Sequence, residues 1–192
     1  IHWNFFQKAW AIIKGDVIAA IHKLFLNNGT GFGRLNQALI MLLPKKSDAY
    51  QVKDFRPISL VHSAPKLASK LLPSRLSRRM GEIVSVNQSA FIKGRSIHDN
   101  FLLVRQMARK LHQRKTKGVL LKLDISRAFD TLSRPFLFEV LQAKGFSARW
   151  ISWIATLLTS ASSRIMVNGC AGEKFMHAQG LRQGESLSPL LF

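Results

Sequence analysis

Two aspartates six residues apart, Asp124 and Asp130, lie in the segment GVLLKLDISRAFDTL and are the first residues whose placement suggests chemistry. The apolar run before Asp124 predicts a strand over 118–124, followed by the start of a helix. Because side chains alternate along a strand, Leu123 would face one packed layer, and Asp124 would lie at the strand's end on the other face. An aspartate in that position is well placed to bind a cation or a substrate.

Two other interpretations of Asp124 use the same local pattern. Aspartate is a favoured N-cap, so Asp124 could simply begin the following helix, which is the commoner outcome for an isolated string of this kind. Phosphatases of the DxDx[TV] type also place an aspartate after an apolar strand, but here Ser126 stands where such an enzyme has its general acid. The phosphatase interpretation is set aside, and the cap and ligand-binding roles stay open.

The charge of the chain indicates its class of partner. Twenty-nine Lys and Arg residues against ten Asp and Glu residues give a formal net charge of +19 in 192 residues. Any single lysine more often solvates a helix face than contacts a ligand, but an imbalance of this size creates a positive field that attracts polyanions. Nucleic acid is therefore the expected partner.

Other classes of protein are disfavoured by composition. The single cysteine, Cys170, excludes an internal disulfide, and the six histidines lack zinc-site spacing, so a reduced, intracellular setting is expected. The longest apolar runs, ALIMLLP and WISWIATLL, fall short of the roughly 20 residues that span a bilayer, so no membrane partner is expected. The chain begins at Ile1 without a Met and stops inside an apolar run, which suggests an excerpt from a longer protein.

The elements that must position these residues follow from hydrophobic periodicity and from Gly and Pro stop signals. Helices are expected at 3–26, 64–80 (with an awkward Pro73), 99–114, 134–144 and 147–160. Strands are expected in LNQALIMLLPKK, FRPISLV and GVLLKLD, and SSRIMVNG with EKFMHAQ is expected to form a hairpin. Helices mixed with short strands, some of them antiparallel, predict an α+β fold.

Four strings in order carry a family resemblance: LPKK with VKDFRPISL (43–60), NQSAFIKGRSIHDN (87–100), LKLDISRAFD (121–130) and GLRQGESLSPLLF (180–192). Together they resemble the reverse transcriptases of LINE-type, non-LTR retrotransposons, and the plant branch looks closest. The resemblance implies the fingers and part of the palm of a right-hand polymerase over 36–192, preceded by a helical lead-in over 1–35.

The resemblance also implies roles in nucleotide addition, a phosphoryl transfer assisted by two Mg²⁺ ions. It makes Asp124 a metal ligand, and it makes Phe129 the aromatic ring that excludes the 2′-hydroxyl of the incoming sugar. Asp130 matches the family's AFD, but a helical turn would rotate it away from Asp124, so a structural role is expected. Without the surrounding motif, Phe129 would be taken for an ordinary core aromatic.

Further residues are assigned by the same resemblance to nucleotide and template. Arg56 and one of Lys45 or Lys46 would contact the triphosphate, since arginine suits bidentate phosphate contact and lysine acts as a point charge. Lys45 and Lys46 could equally be a solvated pair beside a loop. Lys93 and Arg95 would contact the template backbone, and Gln183 and Gly184 would lie beneath the nucleotide and the template base. For Lys93 and Arg95 the alternative is a basic turn on the surface.

The chain departs from the family in two respects. Glu185 and Ser186 replace the usual Asp and Pro of RQGDPLSP, and losing proline's fixed φ is expected to loosen that turn. The family's second metal-binding element, a hairpin with x-Asp-Asp, does not occur in the 192 residues, so two Mg²⁺ ions would be poorly held and the isolated chain is expected to be inactive.

Two functions remain open at this point. The first is a fragment of an RNA-directed DNA polymerase that acts on an RNA template, a DNA primer and dNTPs together with the missing palm and thumb segments of its polyprotein. The second is a non-catalytic retroelement relic that binds RNA or single-stranded DNA. In either case the expected location is the nucleus or the cytoplasm, as a ribonucleoprotein.

Overall fold

A computed structural model gives the structure of the chain and describes residues 3–26 and 31–192. The helices are α1 (Trp3–Leu26), α2 (Phe32–Leu35), α3 (Ser63–Ile83), α4 (Ile97–Gln113), α5 (Ala128–Thr131), α6 (Arg134–Ala143), α7 (Ala148–Thr159) and α8 (Ser188–Leu191). The strands are β1 (Gln37–Pro44), β2 (Phe55–Val61), β3 (Ser162–Val167), β4 (Cys170–Ala171) and β5 (Phe175–Met176). This mixture of helices and strands confirms the α+β prediction.

One mixed sheet joins residues 37–61 to residues 162–176. Its strand order is β2-β1-β3-β4, with β5 also pairing with β3. Strands β1 and β2 form an antiparallel ladder from Ala38 opposite Val61 to Pro44 opposite Phe55, whereas β1 and β3 run parallel. The antiparallel pairing of β3 with β4 and β5 confirms the predicted hairpin.

The predicted helices form close to their expected bounds because their end signals are local. Ser96, Ser133 and Ser147 each accept a hydrogen bond from a backbone N–H in the first turn of α4, α6 and α7, respectively. Gly145, with φ +78°, ends the turn after α6 in the left-handed conformation that glycine adopts without strain. The predicted helix at 64–80 continues through Pro73 as α3.

The hydrophobic core lies where α3, α6 and α7 meet the C-terminal segment of the described chain. Its most buried members on the helices include Leu72, Leu76 and Ile154, which are 0–2% exposed. The complete buried cluster is Phe32, Leu72, Leu76, Met80, Ile92, Leu137, Leu141, Ile154, Leu157, Leu158, Leu181, Leu187 and Leu191. Three of these leucines, Leu181, Leu187 and Leu191, come from the GLRQGESLSPLLF string. This segment is therefore held in place by packing in the core.

The N-terminal helix touches this core near its end. The rings of Phe25 and Trp153 lie 4.7 Å apart, and the Trp153 Nε1–H donates to the Phe25 carbonyl at 3.2 Å. Phe32 of α2 is itself a core residue. The division into a lead-in over 1–35 and a polymerase segment over 36–192 stays a prediction. Among the helices that the structure describes, none is long and apolar enough to cross a bilayer.

The predicted strand over 118–124 is wrong. Between α4 and α5 the chain has no regular structure, and its apolar side chains project into solvent: Val119 is 97% exposed and Leu123 is 80% exposed. A strand needs a neighbour to pair its N–H and C=O groups, and none of the described strands pairs with this segment. Asp124 therefore follows an extended, unpaired segment rather than a sheet strand.

Candidate functional site

A cavity of about 470 Å³ joins two motifs that are far apart in sequence. Phe129 contributes from α5, and Gln183 and Gly184 contribute from the turn before α8. The other lining residues are Arg182, Glu185, Ser186, Ser188 and Pro189. Three residues predicted to meet the nucleotide are thus brought to one surface.

The turn that carries Gln183 is fixed against α5 by backbone hydrogen bonds. The Leu181 N–H donates to the Phe129 carbonyl at 2.7 Å, and the Gly180 N–H donates to the Leu132 carbonyl at 2.9 Å. The Gln183 side-chain amide donates to Asp130 Oδ1 at 3.4 Å. Asp130 therefore contacts the Gln183–Gly184 turn, which we call the nucleotide turn after its predicted role. The hydrogen bonds of the described residues include none between Asp130 and Asp124.

Gly180 lies where the backbone before the turn packs against the backbone of α5, and no room is left there for a side chain. Its φ is +74°, and a Cβ there would lie 2.6 Å from the Asp130 carbonyl oxygen and 2.7 Å from that of Phe129. We expect Gly180→Ala to lower the free energy of unfolding by about 2–4 kcal/mol, since it combines left-handed strain with a backbone clash. Urea-induced unfolding of the 192-residue chain measures this change.

Gly145→Ala is the matched control for that substitution. Gly145 has a similar φ of +78°, but nothing lies within 4 Å of a Cβ built there. It should therefore show the conformational strain alone, about 1 kcal/mol. Equal losses for the two variants would mean that Gly180 is not in close contact with α5.

Arg182 is buried beneath the nucleotide turn, at 6% exposure. Its Nη1 donates to Asn36 Oδ1 at 2.7 Å, and its Nη2 donates to the Asn36 carbonyl at 2.6 Å and to the Ser162 carbonyl at 2.8 Å. Nη1 also lies 3.3 Å from Glu185 Oε1. Burial raises the pKa of the Glu185 carboxyl, and the positive charge of Arg182 opposes that rise.

A second buried arginine, Arg134, holds the segment that leads into the turn. Its guanidinium donates to the carbonyls of His177 at 2.5 Å, Gly180 at 3.2 Å and Gln179 at 3.3 Å. Burial lowers the pKa of Arg134, and so does the nearby charge of Arg182. The pKa of His177 is lowered by burial and by both arginines, which favours the neutral ring that shares a 2.7 Å hydrogen bond with the Ser163 hydroxyl.

Sequence reasoning missed Arg134, Arg182 and Asn36. Arg134 follows the capping Ser133 and precedes a proline, a pattern that indicates only a helix start. The partners of Arg182 lie as much as 146 positions away. No local sequence signal identifies such distant partners. An arginine in a segment of core leucines is unusual, however, and this position alone predicts that Arg182 has a buried partner.

Asp124 is exposed and does not cap a helix. The N-cap position of α5 is Arg127, which has φ 54° and no side-chain cap hydrogen bond, so the cap hypothesis is wrong. Within residues 3–26 and 31–192, no hydrogen bond or ion pair involves the Asp124 carboxylate, and no three His, Cys, Asp or Glu residues cluster as metal ligands. The described residues alone therefore do not fit a Mg²⁺ site.

The residues predicted to contact the triphosphate lie at the far end of the sheet. Lys45 Nζ donates to the Lys53 carbonyl at 2.6 Å, and Lys46 Nζ lies 3.6 Å from Asp54 Oδ1. Arg56 pairs opposite Leu43 and is exposed. These residues are separated from the Asn36 end by the eight residues of β1, about 25 Å along an extended strand. Their convergence with Asp124 and Gln183 on one cleft stays a prediction.

The two residues predicted to meet the template differ in their surroundings. Arg95 donates to the carbonyls of Ser85 at 2.5 Å, Gln88 at 2.6 Å and Val84 at 3.2 Å, so it closes the loop after α3. Lys93 is exposed and lines an open cavity of about 570 Å³. Contact with the template backbone stays a prediction for both, and the structure leaves Lys93 the freer of the two.

Comparison with known proteins identifies the family of the chain. The family model described as reverse transcriptase (RNA-dependent DNA polymerase) matches residues 43–192. The chain is 30% identical over 192 residues to a transposon TX1 uncharacterized 149 kDa protein of Xenopus laevis, covering 98% of this chain and 14% of that protein. It is 26% identical over 182 residues to a Pol polyprotein from the type-2 retrotransposable element R2DM of Drosophila melanogaster, covering 94% and 17%, respectively.

A third relative is the Pol polyprotein of the type-1 retrotransposable element R2 of Nasonia vitripennis, 26% identical over 185 residues, with 96% of this chain and 18% of that protein covered. The chain thus spans less than a fifth of the length of these three relatives. The expected likeness to non-LTR retrotransposon enzymes is confirmed, and the likeness to the plant branch stays a prediction. Since the family model covers most of its length, the chain belongs to the reverse transcriptase family of RNA-dependent DNA polymerases.

Proposed function

We propose that this chain supplies the fingers and part of the palm of an RNA-directed DNA polymerase, which adds deoxynucleotides to a primer within a full-length polyprotein. The observation that carries the proposal is the shared cavity of Phe129, Gln183 and Gly184. These residues come from two separate motifs of the family, and packing and backbone hydrogen bonds hold them together.

Two features of the cavity support its proposed use as a nucleotide site. The half-buried Phe129 ring lies 5.1 Å from the ring of Phe192, which supports it from one side. A flat, supported ring can reject an added 2′-hydroxyl by steric exclusion. Gly184, at φ +92° and with open space around it, allows a ligand to approach the backbone closely. Arg56, Lys45 and Lys46 are proposed to reach the triphosphate from the β1–β2 hairpin.

Mg²⁺ is the cofactor of the family, and we assign Asp124 as one ligand in the complete enzyme. Carboxylate oxygens are the ligands that Mg²⁺ prefers, and Asp124 is exposed and unpaired among the described residues. The remaining ligands would come from segments outside these 192 residues. The isolated chain is accordingly expected not to extend a primer on an RNA template.

Binding of nucleic acid is the part of this proposal that the isolated chain itself can test. With a net charge of +19, it should bind a fluorescein-labelled, single-stranded RNA of 20 nucleotides. If about four phosphates are neutralised, the affinity should fall about 50-fold between about 50 and 200 mM salt, because each contact releases counterions. Fluorescence anisotropy across a salt series measures the slope. Salt-independent binding, or no binding at the lowest salt, would contradict a phosphate-binding surface.

A second candidate function, a non-catalytic relic that binds RNA or single-stranded DNA, is favoured by one observation. The described residues hold no cluster of metal ligands, while the positive charge is present throughout. The coding sequence beyond Phe192 separates the two functions. An open frame that reaches an x-Asp-Asp hairpin supports the polymerase, and an early stop codon supports the relic. Both functions are proposed to operate inside the cell, in a nuclear or cytoplasmic ribonucleoprotein.

A further inference from the structure

Arg182 connects the nucleotide turn to a fixed point of the sheet. Its guanidinium makes two hydrogen bonds to Asn36, one to the side chain and one to the carbonyl, and a third to the Ser162 carbonyl. These acceptors lie at the start of β1 and of β3, the parallel pair at the centre of the sheet. One side chain therefore spans from the turn to two strands.

Asn36 is itself held from the opposite side, so it is a rigid anchor. Its side-chain amide donates to the Leu157 carbonyl at 2.7 Å and to the Ser160 hydroxyl at 2.9 Å, at the end of α7. Its backbone N–H donates to the Phe32 carbonyl at 2.8 Å, and only 2% of the residue is exposed. A buried asparagine with this many partners has no freedom to shift.

Two residues that follow the turn, Glu185 and Ser188, contact Arg182, which precedes it. The Ser188 hydroxyl donates to the Arg182 carbonyl at 2.7 Å, and Glu185 lies against the Arg182 guanidinium at 3.3 Å. Between these contacts, Gln183 and Gly184 are exposed and line the cavity. An exposed turn containing a glycine at positive φ would otherwise sample many conformations. The contacts of Arg182 restrict that freedom.

Stability alone does not account for a charge in this place. Removing a guanidinium from water is unfavourable, and Arg182 Nε is buried without a hydrogen-bond partner among the described atoms. Buried ionic groups are commonly no more stabilising than apolar residues of the same volume. A rigid, planar group with several donors is, however, well suited to fixing the geometry of a turn.

We propose that Arg182, acting through Asn36, is a positioning residue for the incoming nucleotide: it holds the Gln183–Gly184 turn at a fixed distance from Phe129. The nucleotide role rests on the proposed polymerase function. The holding of the turn does not, because it is a property of the chain alone. The two parts can therefore be tested separately.

The first test is hydrogen exchange on the 192-residue chain. Arg182→Lys keeps the charge, but one ammonium group cannot reproduce the fork that joins Asn36 to Ser162. We expect the Leu181 and Ser188 amides to exchange about tenfold faster in the variant, with little change at the α6 and α7 amides. Arg164→Lys, on the exposed part of β3, is the matched control and should change neither set. Uniform acceleration across all helices would overturn the proposal.

The second test is steady-state primer extension by the full-length polyprotein. Arg182→Lys should raise the KM for dNTP about tenfold or more, with a smaller change in kcat and unchanged primer–template affinity, because a displaced turn binds the nucleotide poorly. A purely structural role would instead reduce the amount of active enzyme, so apparent kcat would fall at unchanged KM. That result would overturn the nucleotide role.

Ser188→Ala keeps both tests informative if Arg182→Lys does not fold. It removes only the hydroxyl that closes the turn and should raise the KM for dNTP about threefold to fivefold. An unchanged KM in this variant would count against the proposal. Failure of the unsubstituted polyprotein to extend any primer would refute the polymerase function, and with it the nucleotide role, while hydrogen exchange would still decide whether Arg182 holds the turn.

Discussion

Asp124→Asn will reduce primer extension by the full-length polyprotein about 1,000-fold. The substitution keeps the shape of the side chain and removes its charge. If Asp124 holds Mg²⁺, that charge contributes roughly 4 kcal/mol of stabilisation to the transition state, and each 1.36 kcal/mol is a factor of ten in rate. Extension of a labelled primer on an RNA template, with saturating dNTPs and Mg²⁺, measures the loss.

The stability of the variant provides the internal control. The Asp124 carboxylate is exposed and makes no hydrogen bond or ion pair in the part of the chain that the structure describes, so the unfolding free energy should stay within about 0.5 kcal/mol of its original value. Asp99→Asn, on the exposed face of α4, should retain extension. A variant at Asp124 that extends primers normally would remove this residue from the catalytic site.

Arg134→Leu will lower the free energy of unfolding by about 2–4 kcal/mol. It removes the donor of three hydrogen bonds and leaves the carbonyls of His177, Gln179 and Gly180 without that partner. The bond to Gly180 is buried and the other two are partly buried. Small domains are stable by only about 5–15 kcal/mol, so such a loss is a substantial fraction. Urea-induced unfolding of the 192-residue chain, followed by circular dichroism, measures it.

Arg105→Leu is the matched control because Arg105 is exposed on α4. It should change the free energy of unfolding by less than about 0.5 kcal/mol. If the two substitutions have equal effects, the contacts of Arg134 with the 177–180 segment are not important for stability, and another interaction must hold the nucleotide turn in place.

The elements that sequence predicts correctly are those whose signals are local. Helix α1 follows from periodicity and a Gly-rich stop, and β1 and β2 follow from apolar runs bounded by Pro44 and by polar loops. Serine caps mark the starts of α4, α6 and α7 within one turn. None of these signals depends on a distant part of the chain.

The predicted strand at 118–124 shows where local signals stop being sufficient. A short apolar run indicates that a segment is suited to a strand, but pairing depends on a neighbour that periodicity cannot identify. The described sheet contains β2, β1, β3, β4 and β5 and leaves this segment unpaired. The position of Asp124 relative to a sheet could not be predicted from its own surroundings.

The candidate site was predictable only in part, for a related reason. The resemblance assigned Phe129, Gln183 and Gly184, and the structure brings these three together. It gave no role to Arg182, whose function depends on contact with Asn36 across 146 positions. The departure at Glu185 also has a structural consequence: its carboxylate lies against Arg182, so the turn that was expected to loosen at Ser186 has an added contact.

The central claim, that this chain forms the nucleotide site of a reverse transcriptase, is tested most directly by the sugar selectivity of Phe129 variants in the full-length polyprotein. The measurement is the ratio of kcat/KM for a dNTP to that for the matching rNTP. Phe129→Val should lower this ratio about 100-fold, or roughly 2.7 kcal/mol, because the smaller side chain leaves room for a 2′-hydroxyl; Phe129→Tyr should keep the ratio, since the ring is retained. An unchanged ratio in Phe129→Val, with activity intact, would contradict the assignment of this cavity as the nucleotide site.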